Sequence, residues 1–244
     1  MTGCPHNLLE FAPIDHEFIQ RLIHNSPNKN CTLDPVPTWI IKRFANELVP
    51  FITAYCNTSL RDGAFPVSQK NAIISPILKK PNLDAHTASN YRPISNLSYL
   101  SKLLERCVNK QLNEYMSNKN LLSPVQSTYR CSYSTESAVL KVLSDFYEAA
   151  DRKMVTLLGL LDLSSAFDTV DHLILFDRLL YEYGIGGHEL KWLKSYLTNR
   201  TVCVHFSGLT SETVPISYGV PQGSFLGPVI FILYVAGVIH VADK

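Results

Sequence analysis

This sequence predicts a mixed α+β fold rich in helix. Three observations carry the prediction: apolar residues recur at three- and four-residue steps in several long segments, short apolar runs of strand length lie between them, and no internal repeat or low-complexity tract interrupts the order. With 244 residues, 46% of them hydrophobic, the chain can bury one large core or two modest ones at roughly 150 residues per domain, which excludes global disorder. Only 18% are charged, against about 25% in an ordinary soluble domain. Either burial is unusually extensive or apolar surface faces something else.

The elements follow in order. Residues 1–30 form an N-terminal arm with one helix over 17–23. From Pro37 onward Trp39, Ile40, Phe44, Leu48, Val49 and Ile52 share a helical face, with proline near the start where it is tolerated. A second helical piece over 51–60 stops near Gly63, and 72–78 reads as a strand running into Lys79 and Lys80. Beyond the polar loop 81–90 and the segment 91–95 comes a helix carrying Leu100, Leu103, Leu104, Val108 and Leu112, with a basic polar face. The helix over 134–150 opens on Ser134-Thr135-Glu136 and carries Ala138, Val139, Val142, Leu143 and Phe146 on one side. Residues 155–161 are continuously apolar, suited to a buried strand, and end in Asp162. Helices follow over 171–183, closed by Gly184, and over 188–197, then a hairpin of 202–206 with 213–218. The uninterrupted apolar run 229–239 is shorter than the roughly 18 residues a membrane span requires, so it reads as a buried helix that has lost its covering partner.

Charge and cysteine usage narrow the function classes. A net charge of +1 excludes a uniform positive coat, so nucleic-acid contact must come from local clustering. Such clustering exists: between residues 61 and 110, Lys or Arg stands at 61, 70, 79, 80, 92, 102, 106 and 110, against acids at 62, 84 and 105. By contrast, residues 201–244 carry only Glu212, Asp243 and Lys244 as charged groups. The 6 cysteines form no CxxC pair and the histidines add no ligand spacing, which argues against structural zinc. The N-terminus lacks a basic-then-apolar signal, so the thiols are expected reduced and the address intracellular, nuclear or cytoplasmic, with the sequons at Asn57, Asn96 and Asn199 arising by chance.

Few residues offer chemistry. A carboxylate at the end of an apolar strand, such as Asp162, emerges at a sheet rim where it can hold a divalent cation, but the same position suits a turn former or helix N-cap. Asp168 and Asp171 precede a helix and read as caps, and Phe167 reads equally as a core aromatic. Residues 219–228 pack three glycines and two prolines around Gln222, a loop that lets backbone approach a ligand, or an ordinary turn into a helix. No Lys follows the second glycine, so this is not a nucleotide-triphosphatase loop.

In combination these blocks resemble the reverse transcriptase of non-LTR (LINE-type) retrotransposons from about Leu33 onward. The matching pieces are Asn90-Tyr91-Arg92-Pro93-Ile94-Ser95 with the Ser101-Lys102-Leu103-Leu104-Glu105 helix, Leu122-Ser123-Pro124-Val125-Gln126, Ser134-Thr135-Glu136, residues 161–172 from Leu161-Asp162 through Ala166-Phe167-Asp168 to Asp171-His172, and Gly219-Val220-Pro221-Gln222-Gly223-Ser224 with Leu226-Gly227-Pro228. The resemblance implies a right-hand polymerase: a helical N-terminal extension of the fingers at 31–75, fingers at 76–150 and a partial palm at 151–244. It implies RNA-directed DNA synthesis with Mg2+, an RNA template, a DNA primer and deoxynucleoside triphosphates. Asp162 is then the metal-binding catalytic carboxylate, and the Leu163 backbone serves the second ion. Lys79, Lys80 and Arg92 lie along the triphosphate, and Phe167 is the gate against a 2′-hydroxyl. Gln222 lines the nucleotide, while Gln126, Arg130, Gly219, Pro221 and Gly223 lie toward template and primer.

Departures from the pattern matter as much. The segment after Gln126 reads Ser127-Thr128-Tyr129-Arg130-Cys131 in place of the family's glycine and basic positions, and Val235-Ala236-Gly237 stands where a polar pair usually follows. The aromatic-x-Asp-Asp hairpin is absent; Ala242-Asp243-Lys244 only faintly echoes it, and thumb and part of the palm sheet are expected missing. Two-metal catalysis needs carboxylates on at least two palm strands, so the expectation is a fragment inactive alone. The alternative is a non-catalytic RNA- or DNA-binding remnant of a retrotransposon.

Overall fold

The computed structural model describes residues 7–29, 31–130, 132–163 and 165–237; Ser164, Cys131 and the Ala242-Asp243-Lys244 triplet lie outside them. Asp15 starts helix α1 (His16–His24) by accepting from Phe18 N at 2.6 Å, and Ile19 and Ile23 on its inner face are fully buried. The periodic stretch after Pro37 is two helices, α2 (Thr38–Arg43) and α3 (Ala45–Asp62), because the backbone leaves helical geometry at Phe44. Pro50 lies inside α3 without breaking it, and Gly63 closes that helix in the left-handed conformation.

Strand β1 (Asn71–Leu78) pairs antiparallel with β2 (Tyr91–Asn96), in a register that sets Leu78 against Tyr91 and Ile74 against Ser95. Helix α4 (Tyr99–Asn118) follows, capped by Ser98. Further along, β3 (Arg200–Phe206) lies parallel to β1 and takes both β4 (Leu209–Thr210) and β5 (Val214–Ile216) antiparallel. The resulting sheet has 5 strands in the order β2-β1-β3-β4, with β5 also on β3. One large core joins α1, α3 and α4 to α6 (His172–Tyr181), α7 (Gly187–Leu197) and α8 (Gly227–Val235). At its centre Trp192 stacks on Tyr196 with ring centroids 5.6 Å apart, and Phe65 meets both rings edge-on.

Two expectations are corrected. Helix α8 has not lost its cover: Val229, Ile230, Ile232 and Leu233 are buried, and the Tyr183 hydroxyl donates to the Leu233 carbonyl at 3.2 Å. No helix among the described residues is long and apolar enough to cross a membrane. The uncovered apolar surface lies elsewhere. Helix α5 (Thr135–Asp151), opened by a reciprocal Ser134–Ser137 capping box, buries no residue, and 155–161 form no strand: Val155, Leu157 and Leu161 are 98%, 96% and 89% exposed. A strand needs hydrogen-bond partners along its edges, and no described segment offers 155–161 one.

Glu189, in the first turn of α7, is fully buried, and its carboxylate has no partner on another described residue. Burial pushes its pKa up to about 7; the negative Glu10 adds to the rise and its own amide offsets part of it. Its folded pKa thus exceeds the unfolded value of 4.5, so the folded state holds the extra proton between these limits and stability falls as pH rises through the window. Glu189→Gln is expected to leave the urea midpoint unchanged below the window and raise it above. A midpoint shift of the same size on both sides would refute this.

Candidate nucleotide site

The site is built around the glycine-rich loop. Residues 165–170 turn tightly, with Asp168 N donating to Ser165 O at 2.8 Å, and Asp171 then caps α6 by accepting from Leu173 N and Ile174 N. The loop docks on this turn by two backbone bonds of 2.8 Å, Gly219 N to Val170 O and Val220 N to Phe167 O. Buried His172 reaches the Gly219 carbonyl through Nε2 at 2.8 Å. Gly219 has a φ of +83°, and a Cβ there would stand 2.8 Å from the Phe167 carbonyl oxygen. Gly219→Ala is therefore expected to destabilise the fold by roughly 2 kcal/mol, the left-handed penalty plus displacement of the turn. Chemical denaturation checks it; a loss below about 0.5 kcal/mol would contradict the docking.

Two further anchors fix the loop. The Gln222 carbonyl accepts from Ser95 N on β2 at 2.7 Å, and Phe225 N donates to the buried Glu105 carboxylate on α4 at 2.7 Å. Ser224 Oγ accepts from the N–H of Gly227, the first residue of α8, at 2.8 Å. Gln222 thus sits where the 165–170 turn meets the β1–β2 hairpin. Its Nε2 donates to both Asp168 oxygens, at 3.2 and 3.1 Å, which corrects the expected capping role of Asp168. Oriented in this way, the amide carbonyl of Gln222 is left to accept from a ligand.

The remaining predicted residues divide. Phe167 is half-buried and its ring lies 5.1 Å from that of Phe231, against α8. Pro221 and Gly219 are buried in the loop, whereas Gly223 is exposed with a φ of +105°. Lys79, Lys80 and Arg92 are exposed together at one end of the hairpin, Arg92 opposite Ile77. Arg92 is three residues from Ser95, roughly 10 Å along β2. Arg130 folds onto its own turn, donating to Ser123 O at 2.8 Å and Gln126 O at 3.1 Å, with its guanidinium 4.7 Å from the Tyr133 ring centroid. Gln126 Nε2 makes only a long bond of 3.5 Å to Thr128 O.

Asp162 and Leu163 are exposed in the non-strand segment, and Asp162 makes no hydrogen bond or ion pair among the described residues. Its placement at a sheet rim is thereby corrected, for the sheet edge it requires is not formed. Asp162 and the Leu163 carbonyl offer hard oxygens of the type that suits Mg2+. No group of three or more potential ligands is assembled among the described residues, so the donors present do not complete a two-ion site. Sequence reasoning missed Ser95, Glu105 and His172 as loop anchors. Only Glu105 carried a signal, as the one acid among Arg92, Lys102, Arg106 and Lys110.

The family described as reverse transcriptase (RNA-dependent DNA polymerase) matches residues 77–244. The chain is 32% identical over 241 residues to the probable RNA-directed DNA polymerase from transposon BS of Drosophila melanogaster, covering 96% of this chain and 26% of that protein. From the same organism, the corresponding protein of transposon X-element is 30% identical over 89% of this chain and 24% of its own length. The RNA-directed DNA polymerase from mobile element jockey, also from that fly, is 30% identical over 93% of this chain and 24% of its own length. The chain thus spans about a quarter of the length of these curated relatives.

Proposed function

The chain belongs to the reverse transcriptase family, and from that premise we propose that it is the part of a non-LTR retrotransposon polymerase that holds template and incoming nucleotide for RNA-directed DNA synthesis. The reading assigns 31–75 to a helical extension of the fingers, 76–150 to fingers and 151–244 to part of a palm. One observation carries it: the Gly219 loop is pinned to both the 165–170 turn, which follows Asp162 in the chain, and β2, the strand that carries Arg92, so the Gln222–Asp168 pair lies where the two meet.

Each residue then has a task. Lys79 and Lys80 act as point charges and Arg92 as a two-pronged donor along the triphosphate. Phe167, braced by Phe231, limits the space beside the sugar. Gln222 accepts from the nucleotide; Gly219, Pro221 and Gly223 keep the loop backbone close to the strand, with Gln126 and Arg130 toward the template. Asp162 and the Leu163 carbonyl supply one side of a Mg2+ site, and the ion when bound neutralises phosphate charge. With no second palm carboxylate assembled among the described residues, these 244 residues are expected to bind template and primer without extending them.

Fluorescence anisotropy with a labelled DNA primer on an RNA template tests the reading. Binding should weaken steeply with salt, and replacing Lys79, Lys80 and Arg92 by Gln should leave primer–template binding largely unchanged while lowering the affinity of the binary complex for a fluorescent deoxynucleoside triphosphate at least about tenfold. Absence of binding by the unaltered chain at low salt would overturn it.

A further inference from the structure

Helix α5 and the run after it form one apolar arm. Val139, Leu143 and Phe146 stand three or four residues apart on one face of α5, and none of the helix is buried. The helix ends in a defined turn: Lys153 takes the left-handed conformation at a φ of +58°, its N–H donates to Ala150 O at 2.8 Å, and Met154 N donates to Ala149 O at 2.8 Å. The exit of 155–161 from α5 is therefore set, and only Thr156 and Gly159 interrupt its large apolar side chains. Taking about 100 Å² for each apolar side chain fully exposed, the arm leaves roughly 800 Å² uncovered. The largest apolar patch of an ordinary monomer is about 300–600 Å², whereas each partner in a stable complex contributes about 800 Å².

The run is complementary to itself. Laid antiparallel on a second copy about a twofold axis at Leu158, it sets Val155 against Leu161, Thr156 against Leu160 and Leu157 against Gly159. Asp162 then falls opposite Met154 and Lys153 opposite Leu163, so no charge meets its own copy. A two-stranded ribbon alone is marginal in water and needs a helix packed against it. Helix α5, joined to the run by the turn at Lys153, is that helix in each copy. On α5 Lys141 pairs with Asp145 and Arg152 with Glu148, so neither helix presents a block of one sign to the other.

We propose that this arm is the interface of a symmetric dimer, in which 155–161 of two copies pair as an antiparallel ribbon covered by the two α5 helices. The occupant is a second copy for three reasons. The pairing gives the backbone of the run hydrogen-bond partners that no described segment of its own chain offers. It covers the area that a stable interface needs. It is isologous, so association closes at two copies. None of these reasons draws on the polymerase reading.

Sedimentation velocity of the full chain, from about 1 to about 100 μM, tests the dimer, which should predominate with a Kd at or below about 1 μM. Leu157→Lys with Leu161→Lys should weaken dimerisation at least about a hundredfold, because lysine on a strand blocks its pairing. Val67→Lys, exposed outside the arm, should change nothing. Both leucines are exposed in the single chain, so the double variant keeps its fold, which circular dichroism checks. A second measurement reads the register. Leu158→Cys treated with diamide, which takes up the two electrons and two protons, should give a 158–158 disulfide in the tryptic peptide 154–178, a stretch without native cysteine. Leu160→Cys should not, because its two copies stand four residues apart along the ribbon, about 13 Å, beyond the roughly 7 Å that a disulfide spans between Cα atoms. A monomer at about 100 μM, growth past two copies, a dimer that survives the lysine variant, or equal cross-linking at 158 and 160 would overturn the proposal. Primer–template binding is read separately, so failure of the dimer and failure of the polymerase reading are distinct results.

Discussion

Glu105→Ala is expected to destabilise the protein by about 3–5 kcal/mol, the range found when one partner of a buried charge pair is removed. Glu105 is fully buried on α4; its carboxylate accepts from Phe225 N at 2.7 Å and from Ser101 Oγ at 3.1 Å. Burial raises its pKa, and the Phe225 amide, the Arg200 charge and the Ser101 hydroxyl oppose that rise. Arg200 is 1% exposed; it donates from Nη1 to Tyr196 O at 3.0 Å and lies against the Phe65 and Tyr196 rings, while Nε and Nη2 have no hydrogen-bond partner. Arg200 lies beyond ion-pair distance of Glu105 but its charge acts on the carboxylate; alanine would remove that buried counter-charge and release the loop at Phe225. Glu105→Gln, which keeps an acceptor but not the charge, should cost less, and adding Arg200→Met to Glu105→Ala should recover part of the loss. Urea denaturation reads all three; a cost below about 1 kcal/mol for Glu105→Ala would contradict the buried-pair account.

What could be read from the sequence was mostly local. Helices α1, α4, α6 and α7 follow apolar periodicity, and Asp171 and Ser134 act as the caps their positions suggest, because a cap needs only its own next turn. Strand β2 was harder to see, since Pro93 removes an N–H from a short polar segment. It is tolerated because β2 is a sheet edge and Pro93 lies opposite Pro76, so two residues that cannot donate face each other beyond the part of β1 that pairs with β3. Residues 155–161 show the limit of pattern reasoning: an apolar run states that a segment can be a strand but not that a neighbour exists. The Asp168–Gln222 contact joins residues 54 apart and the Ser95 anchor crosses between elements, so neither leaves a periodic trace. The resemblance placed Gln222 and Phe167 in one site; that Asp168 orients Gln222 came only from the geometry.

On the proposed polymerase reading, Asp162 stands beside a growing nucleic-acid end once the run before it is paired as a strand. Exposed leucines from 157 to 161 would be buried by such pairing, at about 1.5–3 kcal/mol for each side chain fully buried, which gives the rearrangement a driving force. A direct measurement is primer extension on poly(rA) with Mg2+, using a chimaera in which this chain replaces the matched segment of one of its fly relatives. The chimaera should synthesise DNA, and Asp162→Ala should lower the rate at least about a thousandfold, a transition-state loss near 4 kcal/mol. Synthesis by the Asp162→Ala chimaera within about tenfold of its parent would contradict the assignment.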